Sequence, residues 1–202
     1  MSTQAAPRRA GAITERRREE LVRAAFNQIA ERGFEGLRTR EVAAEVGVNI
    51  ATLHYYFPTK ESLIRGVLEY AMGRFRSTLE PHGSPDDQLR NHLRAVRKLL
   101  SEEPELASVM GELALRSARD KAIAGIMAEM YEAWHATLRG LLRRAAKEGH
   151  LRPELDNDGV VAVVIATVSA MMTAAPRTDQ ALRQLERWLG LTESKGTKNP
   201  SN

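Results

Sequence analysis

The segment TREVAAEVGVNIATLHYYFP, from Thr39 to Pro58, has the spacing of two short helices joined by a tight turn. Gly47 falls at the turn, where a positive φ angle is strained for any residue with a Cβ atom. Ala43 falls where the two helices must approach closely, and its small side chain permits this. We expect Thr39 to cap the first helix and Asn49 to cap the second. The segment therefore predicts a helix-turn-helix.

The free face of the second helix favours a DNA reader over an ordinary helical hairpin in a core. That face combines hydrogen-bond donors, methyl groups and aromatic rings, whereas the free face of a core hairpin would more often carry Lys and Glu. Apolar side chains there can contact thymine methyl groups, so we expect half-sites that contain A·T pairs. The core hairpin stays open as the alternative. The face consists of Ile50, Ala51, Thr52, His54 and Tyr55.

Apolar residues recur with a helical period throughout the chain, and no stretch alternates as a strand would. The pattern predicts an all-α fold of about nine helices. A break at Pro81-His82-Gly83-Ser84-Pro85, with Ser84 as a cap, marks the expected domain boundary. The expected divisions are a flexible basic arm at 1–13, a three-helix DNA-binding domain at 14–58, a connecting helix at 59–80, a helical ligand-binding and dimerisation domain at 84–191, and a disordered tail at 192–202.

Composition places the chain among globular proteins, because 202 residues with 43% hydrophobic side chains can bury a sizeable core. A net charge of +4 suits a polyanionic partner, but such an excess is also common in proteins that bind nothing acidic. The absence of cysteine excludes disulfides and thiolate chemistry and fits a cytoplasmic location. The uncharged segment 159–175 falls just short of a bilayer at about 1.5 Å per residue, so we expect a buried helix there and no membrane span.

No enzyme motif is found in the sequence. The five histidines lie far apart, and no phosphate-binding glycine loop, nucleophile elbow or HExxH zinc motif is present. Asp156-Asn157-Asp158 lacks the glycine and distal glutamate of a calcium loop, so we interpret it as a helix cap. We therefore expect no catalysis, cofactor or metal.

From Glu20 to about Leu68, and above all in the block Thr39–Pro58 followed by Thr59-Lys60-Glu61-Ser62-Leu63, the chain resembles the TetR family of transcriptional regulators. That resemblance implies that residues of this segment contact the phosphates, the base edges and the backbone of DNA. Three residues depart from the family pattern: Ile50 stands where a basic or polar residue is common, Ala51 where glycine is common, and His54 where tyrosine is usual. The implied roles are phosphate contact for Thr39 and Asn49, base contact for Ile50, Ala51 and His54, and backbone contact for Thr52, Tyr55, Tyr56 and Lys60.

Basic residues ahead of and within the first helix allow two interpretations. They could contact phosphates or the minor groove, or they could form a solvated, partly disordered start whose charge the neighbouring glutamates dilute. The residues concerned are Arg8, Arg9, Arg16, Arg17 and Arg18.

A recognition helix of two turns touches few base pairs, so we expect a homodimer that places two readers about 34 Å apart on a palindromic operator. Small and apolar residues of the last two helices are the candidates for its interface, with core packing as the alternative for the first of those helices. The interface candidates are Ala162, Ala166, Ser169, Ala170, Leu182, Leu185, Trp188 and Leu189.

The resemblance also implies a pocket for a small molecule whose binding weakens DNA binding. Its candidate lining is apolar and suits a hydrophobic effector, although core packing is the preferred interpretation of any single one of these residues. Glu112, Arg116 and His135 could bind polar groups, but we interpret them as exposed or ion-paired. The candidate lining residues are Met110, Leu113, Met127, Met130, Tyr131, Trp134 and Met171.

The sequence thus predicts a sequence-specific DNA-binding regulator, a repressor by family default, that a small-molecule effector releases from its operator. The alternative is a regulator or architectural DNA-binding protein that responds to no ligand.

Overall fold

The computed structural model describes the backbone of residues 6–149, 155–173 and 177–191, with side chains from residue 13 onward. Within these ranges it is helical and has no strand, which confirms the all-α class. None of the described helices is long and apolar enough to cross a membrane. The nine described α-helices are α1 Ala6–Arg32, α2 Thr39–Glu45, α3 Ile50–Tyr56, α4 Lys60–Arg76, α5 Pro85–Glu102, α6 Pro104–Ser117, α7 Lys121–Lys147, α8 Asn157–Met172 and α9 Thr178–Trp188, and the short 3-10 helix Phe34–Gly36, here called the Phe34 turn, follows α1.

Polar side chains cap the N-termini of several helices. The hydroxyl of Thr59 accepts a hydrogen bond from the Ser62 N–H, and the Ser62 hydroxyl accepts one from the Thr59 N–H, both at 3.1 Å. Ser84 caps α5 through the Asp87 N–H at 3.3 Å. Asp120 caps α7, and Asp156 caps α8 by accepting from the Asp158 N–H. The predicted caps at Ser84 and Asp156 are confirmed.

Three helix boundaries differ from the expected ones, and one of them is the end of α4, which lies at Arg76 and not near residue 80. α1 begins at Ala6 and not near Thr14, so residues 6–13 extend the helix and do not form an irregular arm. This stretch is rich in alanine and arginine, which favour helix strongly. α8 begins at Asn157 because Asp156 caps it there. Residues 1–5 and the tail at 192–202 lie outside the described residues.

The first of two compact units contains residues up to Arg74 together with 103–130. It therefore joins α6 to the helices of the DNA-binding domain, whereas the expected boundary at 81–85 separates them. The reason is that α6 packs against α1 and the Phe34 turn. The buried side chains on the face of α6 are Leu106, Val109, Met110 and Leu113.

The second compact unit contains residues 75–102 and the chain from Tyr131 onward. In it, α5 contacts α8 and α9, and α8 contacts α9. Val161, Val164 and Val168 form the buried side of α8 at helical spacing, while Val163 on the same helix is 48% exposed. α8 is therefore buried on one face and open on another.

A histidine lies inside the second unit and is held there by hydrogen bonds. His92 is 1% exposed, and its Nε2 accepts from the indole N–H of Trp134 at 3.2 Å. Its Nδ1 lies 2.7 Å from the hydroxyl oxygen of Thr78, which donates its own hydrogen to the Phe75 carbonyl at 2.6 Å. These partners assign the proton to Nδ1, so the ring is neutral. Burial lowers the pKa of His92 from 6.5 to about 4.

We predict that His92 makes the protein less stable in mild acid. Because the folded pKa lies below the unfolded value of 6.5, stability is complete above pH 6.5 and falls between pH 6.5 and 4. The loss should reach about 3 kcal/mol at the acid end. Urea unfolding across this range measures it. His92→Gln should remove most of the slope and exposed His82→Gln should keep it, whereas an unchanged slope in His92→Gln would contradict the prediction.

Candidate nucleic-acid interface

The turn between α2 and α3 has the geometry that its glycine predicts. Gly47 has a φ of +71°, and no atom lies within 4 Å of where its Cβ would be. The glycine is therefore required by backbone conformation and not by lack of space. The Gly47 N–H donates to the Ala44 carbonyl at 3.0 Å, and the Val48 N–H donates to the Ala43 carbonyl at 2.9 Å. These bonds close the turn and fix where α3 begins.

One face of α3 packs against the rest of the helix-turn-helix, which is called the reader below, and the other face is open. Leu53 is 1% exposed, and the α2 residues Val42 and Ala43 are also buried. In contrast, Ala51, His54 and Tyr55 are exposed, with Tyr55 at 78%. Ile50, Thr52 and Tyr56 are half-buried. The face expected to read DNA is therefore accessible, which excludes the core hairpin as an explanation of this motif.

The first turn of α3 is organised by Asn49. The side-chain carbonyl of Asn49 accepts from the Thr52 N–H at 2.8 Å and from the Thr52 hydroxyl at 3.0 Å. The predicted cap is confirmed. Because the Thr52 hydroxyl already donates to Asn49, it must rotate away from the cap before it can donate to a phosphate, while the Asn49 amide group remains available as a donor.

Thr39 does not cap α2 as expected. It is the first helical residue, and the N-cap position belongs to Arg38, whose side chain makes no capping bond. The buried Gln28 of α1 instead accepts from the Arg38 N–H at 3.2 Å and anchors the entry to α2. The physical reason is that Arg38 already has the extended φ and ψ of an N-cap residue. The Thr39 side chain is half-exposed and uninvolved in a cap.

Lys60 lies at the first position of α4, where its ammonium stands 4.7 Å from the centre of the Phe34 ring. This is a cation–π distance, so the side chain is held near the protein surface and not freely extended. It is half-buried. Because an ammonium has three N–H donors, the ring can orient it and still leave donors for a phosphate that approaches α4.

Two arginines beside Thr39 add positive charge that the sequence reasoning missed. Arg38 and Arg40 are exposed at the start of α2. Arg38 donates to the carbonyls of Glu35 and Leu37. Arg40 makes no hydrogen bond or ion pair with the residues that the structure describes. The signal was present in the sequence as Arg-Thr-Arg at 38–40, at the boundary of the reader.

Three of the α1 arginines, Arg16, Arg17 and Arg18, are engaged within the chain. Arg16 pairs with Glu20 at 3.0 Å. Arg17 also pairs with Glu20 and donates to the Val46 carbonyl at 3.2 Å, next to the reader turn. Arg18 pairs with Glu69 at 3.2 Å. The side chains of Arg8 and Arg9 lie outside the described residues.

The candidate pocket residues are distributed over both compact units. In the first unit, Met110, Leu113 and Met127 are buried, and Met130 is half-buried. In the second unit, Trp134 is buried and its indole N–H is taken by His92, whereas Tyr131 and Met171 are half-buried. The Tyr131 hydroxyl lies 3.4 Å from that of Ser169.

The candidate polar residues of the pocket have partners or lie near the surface. Arg116 pairs with Glu35 at 2.7 Å, and Glu112 accepts from the Phe34 N–H at 3.1 Å. His135 is half-buried. Among the residues whose side chains are described, no three His, Cys, Asp or Glu form a group that could hold a metal.

The interface candidates divide into exposed and buried positions. Ala162 and Ala166 are exposed, and Trp188 is 63% exposed, which is unusual for an indole. Ser169 and Ala170 are half-buried. Leu182, Leu185 and Leu189 are already buried within the single chain, so they have little surface left for a partner.

Comparison with known families matches both parts of the chain. Residues 21–67 match the family described as bacterial regulatory proteins, tetR family. Residues 79–187, more than half of the chain, match the family described as tetracyclin repressor-like, C-terminal domain. The chain is 28% identical over 182 residues to the nucleoid occlusion factor SlmA of Sodalis glossinidius, which covers 87% of this chain and 91% of that protein.

A second relative and a solved structure extend these similarities. The chain is 26% identical over 146 residues to the HTH-type transcriptional repressor KstR2 of Mycobacterium tuberculosis, covering 70% of this chain and 72% of that protein. The fold is similar to that of the transcriptional regulator FadR from Bacillus subtilis in complex with stearoyl-CoA, with a TM-score of 0.69, 21% identity, and coverage of 86% of this chain and 96% of that one.

We predict that Gly47→Ala destabilises the reader although there is room for the methyl group. A non-glycine residue at positive φ costs about 1–2 kcal/mol. Gly125→Ala is the matched control, because Gly125 lies within α7 with open space around it and should gain about 0.5–1 kcal/mol from the same change. Urea unfolding compares the two variants. If both substitutions changed the free energy of unfolding by the same amount in the same direction, the positive φ of Gly47 would not be what requires glycine there.

Proposed function

The chain belongs to the TetR family of bacterial regulatory proteins, and we propose that it is a homodimeric repressor that a hydrophobic effector releases from a palindromic operator. The observation that supports this most strongly is the open face of α3 opposite buried Leu53. Such a helix can enter the major groove while its other face stays packed on the reader. The cysteine-free composition suits action in the reducing cytoplasm.

The proposed DNA contacts follow from exposure and charge. Ile50, Ala51 and His54 contact base edges, and the two apolar side chains suit thymine methyl groups. Phosphates are contacted from both sides of this face. The proposed phosphate and backbone contacts are Thr39, Asn49, Thr52, Tyr55, Tyr56 and Lys60, to which the exposed cations Arg38 and Arg40 are added.

The proposed dimer uses the open side of α8 and the end of α9. Ala162 and Ala166 are small and exposed, which permits close helix approach, and Trp188 supplies area. Val163 is nearly half exposed on the same helix. Ser169 and Ala170 border this surface. Leu182, Leu185 and Leu189 support it from within, because they hold α9 in place.

The effector is proposed to be hydrophobic because the candidate lining residues are methionines, leucine and aromatics. Met110, Leu113, Met127 and Met130 are the candidates of the first unit, and Tyr131, Trp134 and Met171 those of the second. Long-chain acyl-CoA is a rational probe, since the FadR structure from Bacillus subtilis contains stearoyl-CoA.

A second function is favoured by one observation. Relatives that cover most of this chain are named nucleoid occlusion factors, and that name describes no small-molecule response. The same reader would then serve a DNA-binding protein without an effector. Ligand binding separates the two functions.

We predict that selection from random duplex DNA returns palindromic sites with A·T pairs in each half. Lys60→Ala should weaken binding to all sequences and reduce the slope of log affinity against log salt by about 2, because the homodimer loses two phosphate contacts. His54→Ala should relax the preference at one base position by about 1–3 kcal/mol. Lys121→Ala, which removes the same charge from the exposed start of α7, is the control and should change neither.

Binding assays at several salt concentrations provide these measurements. Uniformly G·C half-sites would contradict the assignment of Ile50 and Ala51, and failure to bind any duplex at low ionic strength would contradict the proposed function itself.

We also predict that a member of a panel of fatty acids, long-chain acyl-CoA esters and other hydrophobic small molecules raises the melting temperature and weakens operator binding. Binding to the folded state alone stabilises it by about 2.7 kcal/mol when the ligand is at 100 times its Kd. Thermal shift and operator titration measure the two effects. If no panel member changes either one while the protein binds its operator, the function without an effector is favoured.

A further inference from the structure

The Phe34 turn connects the end of α1 to the start of α2, so its position determines where α2 lies relative to α1. Gly33, just before it, has a φ of +70°, and Phe34 itself is buried. The Gly36 N–H donates to the Gly33 carbonyl at 3.0 Å, and the Leu37 N–H donates to the Phe34 carbonyl at 3.2 Å. The turn is too short to be stable alone, so contacts from elsewhere must hold it.

One of those contacts comes from α6. The Glu112 carboxylate accepts a hydrogen bond from the Phe34 N–H at 3.1 Å, across 78 residues of sequence. The same carboxylate oxygen would lie 3.3 Å from a Cβ atom on Gly33, so the carboxylate fits closely against the backbone at this point. Glu112 is half-buried, and a half-buried amide that lost this acceptor would be poorly satisfied.

A second contact comes from one turn further along α6. The Arg116 guanidinium pairs with Glu35 at 2.7 Å and stands 4.8 Å from the centre of the Phe34 ring. The Lys60 ammonium stands 4.7 Å from the same ring centre. The Phe34 ring therefore contacts both Arg116 of α6 and Lys60, the first residue of α4. All three residues belong to the first compact unit.

We infer that Glu112 is a positioning residue for DNA binding: from α6, it holds the Phe34 turn so that α2 and Lys60 are presented in the arrangement that binds DNA. The inference rests on the proposed function, because it assigns Lys60 to a phosphate. A hydrogen bond of this length does not survive a shift of α6 by about 1 Å, so the turn depends on the position of that helix. Preorganisation of the reader by Glu112 reduces the ordering that DNA binding requires.

Three variants test this inference. Glu112→Leu removes the acceptor, and Glu112→Gln keeps an acceptor but removes the charge. Glu105→Leu removes an equal charge from an exposed position of α6 where no partner is described. Each is titrated with an operator selected by the wild-type protein and with an unrelated duplex at the same salt, and its melting temperature is measured.

Glu112→Leu should weaken operator binding about tenfold, or ~1.4 kcal/mol, and should weaken binding to the unrelated duplex less, because only the phosphate contact of Lys60 is shared by both duplexes. Glu112→Gln should stay within about threefold of wild type, and Glu105→Leu should bind no more weakly than wild type. In the Glu112→Leu background, Lys60→Ala should cost less operator affinity than in the wild-type background. Additive costs, or wild-type or tighter operator binding by Glu112→Leu, would overturn the inference.

Should Glu112→Leu fail to fold, Arg116→Met replaces it, because it removes the Glu35 ion pair and the cation at Phe34 while it keeps an unbranched apolar stem. It should weaken operator binding about threefold with little change in melting, as expected for an exposed pair. Unchanged operator affinity in this variant overturns the inference. Failure of the wild-type protein to select any duplex is a different result, which contradicts the proposed function.

Discussion

The burial of one side of α3 is the interaction on which the reader depends. Leu53 is buried while its neighbours on α3 are exposed or half-buried, so a helix of two turns is anchored by very little surface. Helices of this length are not stable alone, and the anchoring must come from tertiary packing. The positive φ of Gly47 and the Asn49 cap supply the remaining constraints, because they set where α3 starts and in which direction it leaves α2.

Local features of the fold were predictable because their physics is local. Gly33 and Gly47 adopt positive φ angles where the sequence places helix ends, and Asn49, Ser84 and Asp120 cap the helices that follow them. Each such effect involves residues within a few positions of one another. The open face of α3 was predictable for the same reason, because the helical period places Leu53 on one side of the helix and the exposed Ala51 and Tyr55 on the other.

Contacts between distant parts of the sequence were not predictable. α6 belongs to the same compact unit as the reader although a proline-rich break precedes α5, and the Glu112 to Phe34 hydrogen bond joins residues that no periodicity connects. Thr39 was expected to cap α2, but Gln28 of α1 anchors that entry instead. Arg17 was grouped with a basic arm, yet it donates to the Val46 carbonyl beside the turn. These side chains act through tertiary packing, which the sequence pattern does not specify.

Crosslinking can show whether the open face of α3 enters the major groove. A photoreactive aromatic amino acid at position 54, with a second variant carrying it at exposed Glu132 on α7 as the control, tests this directly. Irradiation of each variant bound to its selected operator should crosslink position 54 to bases and leave position 132 free of DNA. A protein that remains bound but gives no crosslink to bases from position 54 would contradict the placement of α3 in the groove.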